Sequence, residues 1–434
     1  MIDTAITTLG PCTLLSPVRL STQLGDQLCD YVPDSVRVRY QGVFGTGDDL
    51  PAEVSFEAAG PRERIFFNPA TTRAAIVTCG GICPGMNNVI RSAFLELSYN
   101  YDVSEVLGIR YGYAGMNPAV GLTPVRLTAE YVDHIHEHGG TVLGTSRGPQ
   151  PPEVMVDFLE QNRINILICV GGDGTLRGAK AVSDEARRRN LPIAVVGVPK
   201  TIDNDVLYVQ RTFGVNTAIE AAASVLDCAH MEARSVFNGI GLVKVMGREA
   251  GFVACGATLA NQEVNLALIP EVPFALEGEG GVLAFLHKRL ERRQHALVVV
   301  AEGAGQDLVA DVTGGTDKSG NKKLADIGLF MKQRLADYFA GVKVPVEIKY
   351  FDPSYYIRSV RANADDAIFC DQLARNAVHA AMSGKTALVV GQWNSMFTHI
   401  PINLATSGKK QVEPEGAIWR SVLAATGQPR RFKS

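Results

Sequence analysis

The sequence lacks a long apolar run and has little cysteine, and each shortage excludes a class of protein. Its longest apolar stretches, such as 193–198 and 296–301, are far shorter than the roughly 20 residues that a membrane-spanning helix needs. The first residues have no basic segment ahead of an apolar one, so we expect no secretory signal. Eight cysteines among 434 residues are too sparse for a disulfide scaffold and predict reduced thiols in a cytoplasmic protein.

The sequence also has little imbalance of charge. It contains 42 basic and 45 acidic residues, which leaves a net charge of -3. We therefore expect neither a nucleic-acid partner bound through a large basic field nor a membrane partner. The hydrophobic fraction of 46% and the charged fraction of 20% are ordinary for a globular chain.

What the sequence does contain is a repeated order of strand, turn and helix. From about residue 74 to about residue 390, short apolar segments typical of buried strands alternate with segments of helical periodicity. This alternation predicts an α/β fold, in which a parallel sheet is covered by helices on both faces. Residues 1–70 differ, because polar and Gly/Pro-rich stretches surround one alternating run at 36–40. They predict an appended segment with one or two strands.

Two glycine-rich motifs follow predicted strands, where open α/β sheets bind ligands. Residues 79–87 read Cys-Gly-Gly-Ile-Cys-Pro-Gly-Met-Asn, and 171–175 read Gly-Gly-Asp-Gly-Thr. Glycines let a ligand approach the backbone, and a helix N-terminus offers N–H groups to a phosphate. Asp173 adds a carboxylate suited to Mg²⁺. Alternatively, the first motif is a tight turn and Asp173 is a helix cap.

Two charged motifs follow later strands. Residues 199–205, Pro-Lys-Thr-Ile-Asp-Asn-Asp, combine carboxylates that can act as a general base with Lys200, which can stabilise phosphate charge. Residues 244–251, Lys-Val-Met-Gly-Arg-Glu-Ala-Gly, place Arg248 where it can bind a phosphate. A solvated turn and a surface salt bridge are the respective alternatives. Similar strand ends carry Arg147, Glu302 and the aromatic-plus-arginine segment 349–358.

Taken in order, these motifs resemble the 6-phosphofructokinase family from about residue 73 to about residue 390. Gly-Gly-Asp-Gly-Thr alone also occurs in NAD kinases and diacylglycerol kinases, but Pro-Lys-Thr-Ile-Asp-Asn-Asp and Met-Gly-Arg after it are specific. The family transfers a phosphoryl group from ATP, or in some branches from pyrophosphate, to the 1-hydroxyl of fructose 6-phosphate. The resemblance implies two doubly wound, mainly parallel-sheet domains with a cleft between them and an N-terminal extension.

The resemblance implies a domain order and an assembly as well. Residues 1–70 would be the N-terminal extension, 71–212 the phosphoryl-donor domain completed by parts of the C-terminal region, and 213–390 the fructose 6-phosphate domain. Residues 391–434 would pack back on the core. Because members borrow active-site residues from a neighbouring subunit, we expect a homodimer or homotetramer. Arg234 is a candidate for the borrowed arginine.

The resemblance also assigns roles to individual residues. Asp203 would be the general base, with Thr201, Arg147 and Arg248 completing the catalytic set, and Asp173 would organise Mg²⁺. The residues that would bind the phosphoryl donor are Gly81, Arg147, Gly148, Gly172, Asp173, Gly174, Thr175 and Lys200. The residues that would bind fructose 6-phosphate are Thr201, Ile202, Asp203, Asp205, Met246, Gly247, Arg248, Glu302, Lys349, Tyr355, Tyr356, Ile357 and Arg358.

Two departures from the short bacterial enzymes place the chain within the family. Those enzymes have His-Ile-Gln-Arg in place of residues 355–358 and arginine in place of Lys349. The chain is similar instead to a long-chain branch of plants, trypanosomes and some bacteria. That branch lies near the pyrophosphate enzymes in sequence, although many members use ATP.

The phosphoryl donor is decided by two residues that point in opposite directions. Pyrophosphate enzymes carry aspartate at the position of Gly174, where its charge would oppose an α-phosphate. They also carry lysine at the position of Lys200, but a lysine is compatible with either donor. We therefore predict ATP, with pyrophosphate as the alternative and an NAD or lipid kinase as a more distant one. A non-catalytic sugar-phosphate sensor is the last alternative, and the presence of Asp203 disfavours it.

Overall fold

The computed structural model describes residues 2–23, 25–42, 54–309, 315 and 323–434. The chain divides into two compact units, and it passes through each of them in three segments. The first unit comprises Met1–Thr201, Val206–Gly214 and Arg361–Lys409. The second unit comprises Ile202–Asp205, Val215–Val360 and Lys410–Ser434.

Within the described residues, the first unit is built on a nine-stranded sheet whose five adjacent strands from Leu388–Trp393 to Glu105–Ile109 run parallel. The strands in sheet order are Arg37–Arg39, Ser55–Ala58, Met396–Pro401, Leu388–Trp393, Ala194–Pro199, Ile166–Gly171, Arg73–Thr78, Glu105–Ile109 and Val125–Arg126. Ile166–Gly171 and Ala194–Pro199 are buried along their whole length. This burial explains why the sequences of the two strands are continuous apolar runs.

Helices follow the parallel strands of the first unit. The longer ones are Met86–Leu95, Pro152–Gln161, Asp173–Arg188 and Ala364–Met382, and a π-helical turn at Glu96–Asn100 extends the first of them. In the register of the sheet, Val170 lies opposite Thr78, and Gly171 lies opposite Pro199. Three predicted motifs therefore begin side by side at the carboxyl ends of neighbouring strands in this sheet.

The second unit contains a smaller sheet, with four parallel strands among its described residues. In sheet order the strands are Leu266–Leu268, His295–Ala301, Gly239–Val245 and Glu347–Phe351. Its longer helices are Val215–Arg234, Phe252–Asn261, Val282–Arg293, Ile327–Gly341 and Ala417–Thr426. Val245 lies opposite Ala301, so the loop that begins at Met246 and the loop that begins at Glu302 leave the sheet together.

The described part of the N-terminal extension forms strands that pair with strands of the first unit. Thr7–Thr8 pairs with Lys385–Thr386, and Ser55–Ala58 pairs with Met396–Pro401. A charge network reinforces this pairing: the Arg62 guanidinium contacts Asp34 at 2.6 Å and Glu57 at 2.7 Å, and Lys385 contacts Glu57 at 2.8 Å. The extension is thus part of the fold of this unit rather than a separate body.

The predicted α/β fold class is confirmed, because a mainly parallel sheet forms the centre of each unit. Three stretches differ from the ranges expected above: residues 202–205 fall in the second unit, and residues 213–214 and 361–390 fall in the first. Residues 361–390 belong there because Ala364–Met382 packs on Met86–Leu95 and on the strand Ala194–Pro199. No helix in the described ranges is both long and apolar enough to cross a membrane.

Candidate active site

The Gly-Gly-Asp-Gly-Thr motif forms the junction between a strand and a helix in the first unit. Gly171 ends its strand, Gly172 takes the N-cap position, and Asp173 is the first residue of the helix Asp173–Arg188. Gly172 has no side chain to cap the first helical N–H groups, which leaves them available to an anion. A Cβ at Gly174 would meet nothing within 4 Å, so the space beside this glycine is open.

Asp173 is the carboxylate closest to this helix start. Its Oδ2 lies 2.6 Å from Arg177 Nη1 and 3.6 Å from Lys409 Nζ. Its Oδ1 is buried and accepts no hydrogen bond from the described residues. A buried carboxylate oxygen without a donor suits a cation. The described residues include no cluster of three or more His, Cys, Asp or Glu side chains that could hold a metal, so further ligands would come from phosphate and water.

Two further loops of the first unit lie next to this motif. Gly80 has φ +83° and Gly148 has φ +99°, which are left-handed conformations that favour glycine. Gly80 N donates to the Ser146 carbonyl at 3.0 Å, and Thr145 Oγ1 donates to the Gly80 carbonyl at 2.6 Å. These bonds tie the segment that carries Gly81 to the segment that carries Arg147.

Lys200 also belongs to this part of the first unit. Its Nζ donates to the Gly81 carbonyl at 2.5 Å, and its carbonyl oxygen lies 3.3 Å from where a Gly172 Cβ would stand. Thr201 is held in the same region, because Thr212 Oγ1 donates to its carbonyl at 2.6 Å. The structure thus brings together the predicted donor residues Gly81, Gly172 and Lys200.

The rest of the Thr-Ile-Asp-Asn-Asp loop belongs to the second unit. Asn204 has φ +55°, an uncommon conformation for a residue other than glycine. Lys410 Nζ donates to Asn204 Oδ1 at 2.9 Å, and Lys410 N donates to the Asp205 carbonyl at 3.0 Å. Ile202 is buried, which anchors the loop immediately before Asp203.

The Met-Gly-Arg loop and the loop at Glu302 interlock in the second unit. Glu302 N donates to the Val245 carbonyl at 2.9 Å, and Gly303 N donates to the Gly247 carbonyl at 3.0 Å. A Cβ on Gly303 would stand 1.8 Å from the Arg248 carbonyl, so only glycine allows this approach. The interlocked backbones fix the starting points of the Arg248 and Glu302 side chains.

Five charged side chains surround this loop pair, and we call them the acceptor cluster. They are Lys244, Arg248, Glu302, Asp352 and Arg358. Burial raises the pKa of Glu302, and the positive charges of Arg248, Lys244 and Arg358 offset part of this rise. Cations for a phosphate beside a carboxylate for a hydroxyl make up a surface suited to a phosphorylated sugar.

Lys244 is the most firmly paired member of the acceptor cluster. Its Nζ lies 3.0 Å from Asp326 Oδ2 and 2.9 Å from Asp352 Oδ2. Burial alone would lower its pKa, but the hydrogen bonds to Asp352 and Asp326 outweigh burial and raise the pKa above its usual value. Lys244 therefore keeps its charge at neutral pH.

The aromatic-plus-arginine segment divides by burial. Tyr355 is 76% exposed, whereas Ile357 is fully buried, so any binding role of Ile357 is left to its backbone. The Arg358 guanidinium stacks 4.6 Å from the centre of the Tyr355 ring. Its Nε is buried and has no hydrogen-bond partner among the described residues.

Lys349 differs from the other predicted acceptor residues in its surroundings. Its Nζ lies 2.6 Å from Glu347 Oε1 and 4.0 Å from Glu232 Oε2, which belongs to the helix Val215–Arg234. Because Lys349 and its neighbour Tyr350 alternate along one strand, they face opposite sides of the sheet. The hydroxyl of Tyr350 donates to Asp326, beside Lys244, so Lys349 lies on the other face.

Two lysines that the sequence reasoning did not single out contact the predicted motifs. Lys409 reaches Asp173 in the first unit, and Lys410 reaches Asn204 in the second. Both lie in the polar stretch Gly408-Lys409-Lys410-Gln411, which reads as a solvated turn. This stretch is far from both motifs in the sequence, and no local pattern predicts that its lysines contact them.

Comparison with known proteins gives a consistent result. The sequence profile of the family described as "Phosphofructokinase" matches residues 73–381. An "ATP-dependent 6-phosphofructokinase" of Borreliella burgdorferi is 43% identical over all of this chain and 98% of that protein. A protein of the same name from Amycolatopsis methanolica is 43% identical over 99% of this chain and 96% of its own. Among solved structures, a pyrophosphate-dependent phosphofructokinase of Marinobacter aquaeolei has a TM-score of 0.68 at 19% identity, covering 84% of this chain and 93% of that one. The last likeness concerns the fold alone.

Proposed function

The chain belongs to the phosphofructokinase family, and on that premise we propose that it is an ATP-dependent 6-phosphofructokinase. The observation that carries the proposal is the 43% identity, along nearly the whole of both chains, to two proteins named as such. The enzyme transfers the γ-phosphoryl group of Mg·ATP to the 1-hydroxyl of D-fructose 6-phosphate. The products are ADP and fructose 1,6-bisphosphate, so the reaction is a step of glycolysis.

The choice of ATP as donor is supported by the open space at Gly174. Nothing lies within 4 Å of where its Cβ would stand, so no side chain at this position opposes the α-phosphate that ATP has and pyrophosphate lacks. The uncapped helix start after Gly172 offers its N–H groups to the phosphates. Arg147, Gly148 and Thr175 complete our proposed donor site.

The bound donor requires Mg²⁺, and Asp173 is the residue we propose to hold it. The fit rests on its Oδ1, which is buried without a donor among the described residues. When bound, Mg²⁺ neutralises charge on the donor phosphates. Arg177 and Lys409 contact the other oxygen of Asp173 and orient the carboxylate.

The chemical step assigns a proton to Asp203. As the 1-hydroxyl oxygen of the sugar bonds to the γ-phosphorus, the bond from that phosphorus to the leaving oxygen of ADP breaks. The hydroxyl proton passes to the Asp203 carboxylate, which acts as general base. Arg248 stabilises the charge on the transferring group, as a guanidinium does well. Thr201 and Asp205 flank the base.

The acceptor cluster, with Met246 and Gly247, is our proposed site for fructose 6-phosphate. Arg358 and the tyrosines at 355 and 356 would contact the 6-phosphate, and Glu302 would accept from a sugar hydroxyl. The buried Nε of Arg358, which has no partner among the described residues, supports an anion at this place. Lys349 lies on the other face of its strand, so its part in binding is the least supported.

Pyrophosphate remains a second candidate donor because of Lys200. Its ammonium lies against the Gly81 carbonyl at 2.5 Å, at the loops that we assign to donor phosphates. A lysine there serves a short, highly charged donor at least as well as ATP. Gly174 argues against this candidate, since nothing there blocks an α-phosphate.

The assembly and location are also proposals. We infer a homodimer or homotetramer, because family members complete their sites with a neighbour's residue, and Arg234 is our candidate for it. Light scattering of the active protein tests this, and an active monomer would contradict it. The eight cysteines are free thiols, which is consistent with a reducing compartment such as the cytoplasm.

The function is tested with purified protein, Mg·ATP and fructose 6-phosphate. We expect ADP and fructose 1,6-bisphosphate to form in equal amounts, followed by ³¹P NMR. The matched control is 1-deoxyfructose 6-phosphate, which keeps the phosphate but lacks the accepting hydroxyl, so it should inhibit without being phosphorylated. Absence of fructose 1,6-bisphosphate with every donor would contradict the proposal.

A further inference from the structure

The segment Lys410–Val412, which we call the C-terminal strap, contacts both predicted acceptor loops of the second unit. Lys410 N donates to the Asp205 carbonyl at 3.0 Å. Gln411 Nε2 donates to the Glu249 carbonyl at 2.8 Å, directly after Arg248. Two consecutive residues, Lys410 and Gln411, therefore join two loops that are more than forty positions apart in the sequence.

The half-buried carboxylate of Glu271 holds the strap in place. Glu271 Oε1 accepts from Val412 N at 2.8 Å and from Gly251 N at 2.9 Å. Gly251 is the N-cap of the helix Phe252–Asn261, so one side chain holds both the strap and the start of this helix. The strap is consequently fixed in place and able to position what it contacts.

The Lys410 side chain makes the contact closest to the chemistry. Its Nζ donates to Asn204 Oδ1 at 2.9 Å and lies 5.2 Å from the centre of the Phe252 ring. Asn204 has φ +55°, a left-handed conformation that asparagine adopts more readily than most residues, and the bond from Lys410 fixes its side chain. Asn204 separates Asp203 from Asp205, so its backbone conformation sets where both carboxylates point.

We propose that Lys410 is a positioning residue, which acts through Asn204 to hold the general base Asp203 in its reactive orientation. The proposal rests on the proposed function, because that function gives Asp203 its role. Burial lowers the pKa of Lys410 to about 7, with partial compensation from Asp205. An apolar side chain would fill this place without that cost, which indicates a purpose beyond packing.

The test compares Lys410→Met with Lys410→Arg and with the exposed control Lys332→Met. We expect Lys410→Met to lower kcat about tenfold or more, since a charge-assisted hydrogen bond is lost, and to leave the KM for ATP within about twofold. Lys410→Arg, which keeps a cation and a donor, should recover part of kcat. Lys332→Met should match the wild type.

Three outcomes contradict the proposal or separate it from the proposed function. A folded Lys410→Met with wild-type kcat overturns it. A fall in kcat together with a rise in both KM values also overturns it, if the unfolding midpoint is lower and Lys410→Arg recovers no activity. That pattern belongs to a residue with a structural role alone. If Lys410→Met does not fold, Lys410→Gln takes its place; its amide nitrogen lies one bond closer to the backbone than the Lys410 ammonium, so the hydrogen bond to Asn204 is lost and the same criteria apply. A wild-type protein inactive on fructose 6-phosphate would instead remove the proposed function.

Discussion

The candidate sites of the first unit and the second unit are built from different kinds of groups. The donor loops of the first unit, which we define as residues 79–85, 144–148 and 171–175, are rich in glycine, and several of these glycines have positive φ. The acceptor cluster of the second unit consists of charged side chains whose charges act on Glu302, and two of its members, Lys244 and Asp352, form an ion pair. On the function proposed above, we expect the first surface to recognise its ligand by shape and backbone, and the second by charge.

This difference predicts two kinds of sensitivity. Where glycine leaves open space, as at Gly174, adding a side chain blocks or repels the ligand without disturbing the fold. Where charges balance each other, as between Lys244 and Asp352, removing one changes both binding and stability. Substitutions should therefore separate donor effects from acceptor effects, and the following predictions use that separation.

The largest effect should come from the base that we assign to the acceptor side. Asp203→Asn should retain the fold and both KM values but lose about 10²–10⁴-fold in kcat, the usual worth of a general base. Steady-state kinetics with both substrates measure this. The exposed Asp337→Asn is the matched control and should be unaffected. Near-wild-type kcat in folded Asp203→Asn would remove Asp203 from the role.

The second effect sharpens the comparison from the donor side. Gly174→Asp should lower kcat/KM for ATP by about two orders of magnitude, because an added carboxylate opposes the α-phosphate at short range. Gly174→Ala separates charge from size and should keep most of the ATP activity, since the Cβ meets no neighbour. Equal losses in both variants would mean that space, and not charge, governs the donor site.

The third effect belongs to the acceptor cluster. Arg248→Met should raise the KM for fructose 6-phosphate roughly 10- to 100-fold and also lower kcat, because Arg248 is proposed both to bind the sugar phosphate and to stabilise the transferring group. The KM for ATP should stay near the wild-type value. Arg248→Lys keeps the charge but not the bidentate geometry, so its KM for fructose 6-phosphate should lie between those of the wild type and Arg248→Met. An equal rise in both KM values would break the proposed division of labour.

The smallest effect is a gain in stability. Burial raises the pKa of Glu302 above its usual 4.5, so its ionisation costs stability above the raised pKa and costs nothing below the usual one. Glu302→Gln should therefore raise the unfolding midpoint by about 1–3 °C at pH 7, and this advantage should vanish below pH 4.5. Calorimetry at both pH values measures the change. A gain that persists in acid would contradict the assignment.

The strands before the four motifs could be predicted from the sequence, because they are almost entirely buried and therefore read as short apolar runs. The sequence did not predict the strand Met396–Pro401, whose Thr398 and His399 are polar yet buried and thereby break the apolar pattern. His399 is accommodated because its ring nitrogen contacts Glu57 at 2.9 Å, a partner from the other end of the chain. Contacts between such distant segments leave no local signal.

The same reason explains which parts of the candidate site were foreseen. Gly172, Asp173 and Lys200 meet at one sheet edge, which follows from strand order and could be predicted. The strap contact of Lys410 depends on where the chain returns after leaving the first unit, and no spacing in the sequence encodes it. The side of the sheet that Lys349 faces depends on strand register, which a motif match does not resolve.

The central claim is that the open donor site selects ATP. Its most direct test is kcat/KM of the wild-type protein for ATP and for pyrophosphate, measured in one preparation with saturating fructose 6-phosphate and excess Mg²⁺. We expect kcat/KM to be about 100-fold or more higher for ATP than for pyrophosphate. This is about the factor by which a carboxylate at position 174 would disfavour ATP through its contact with the α-phosphate. A preference for pyrophosphate would contradict the account and make Lys200 the residue that selects the donor.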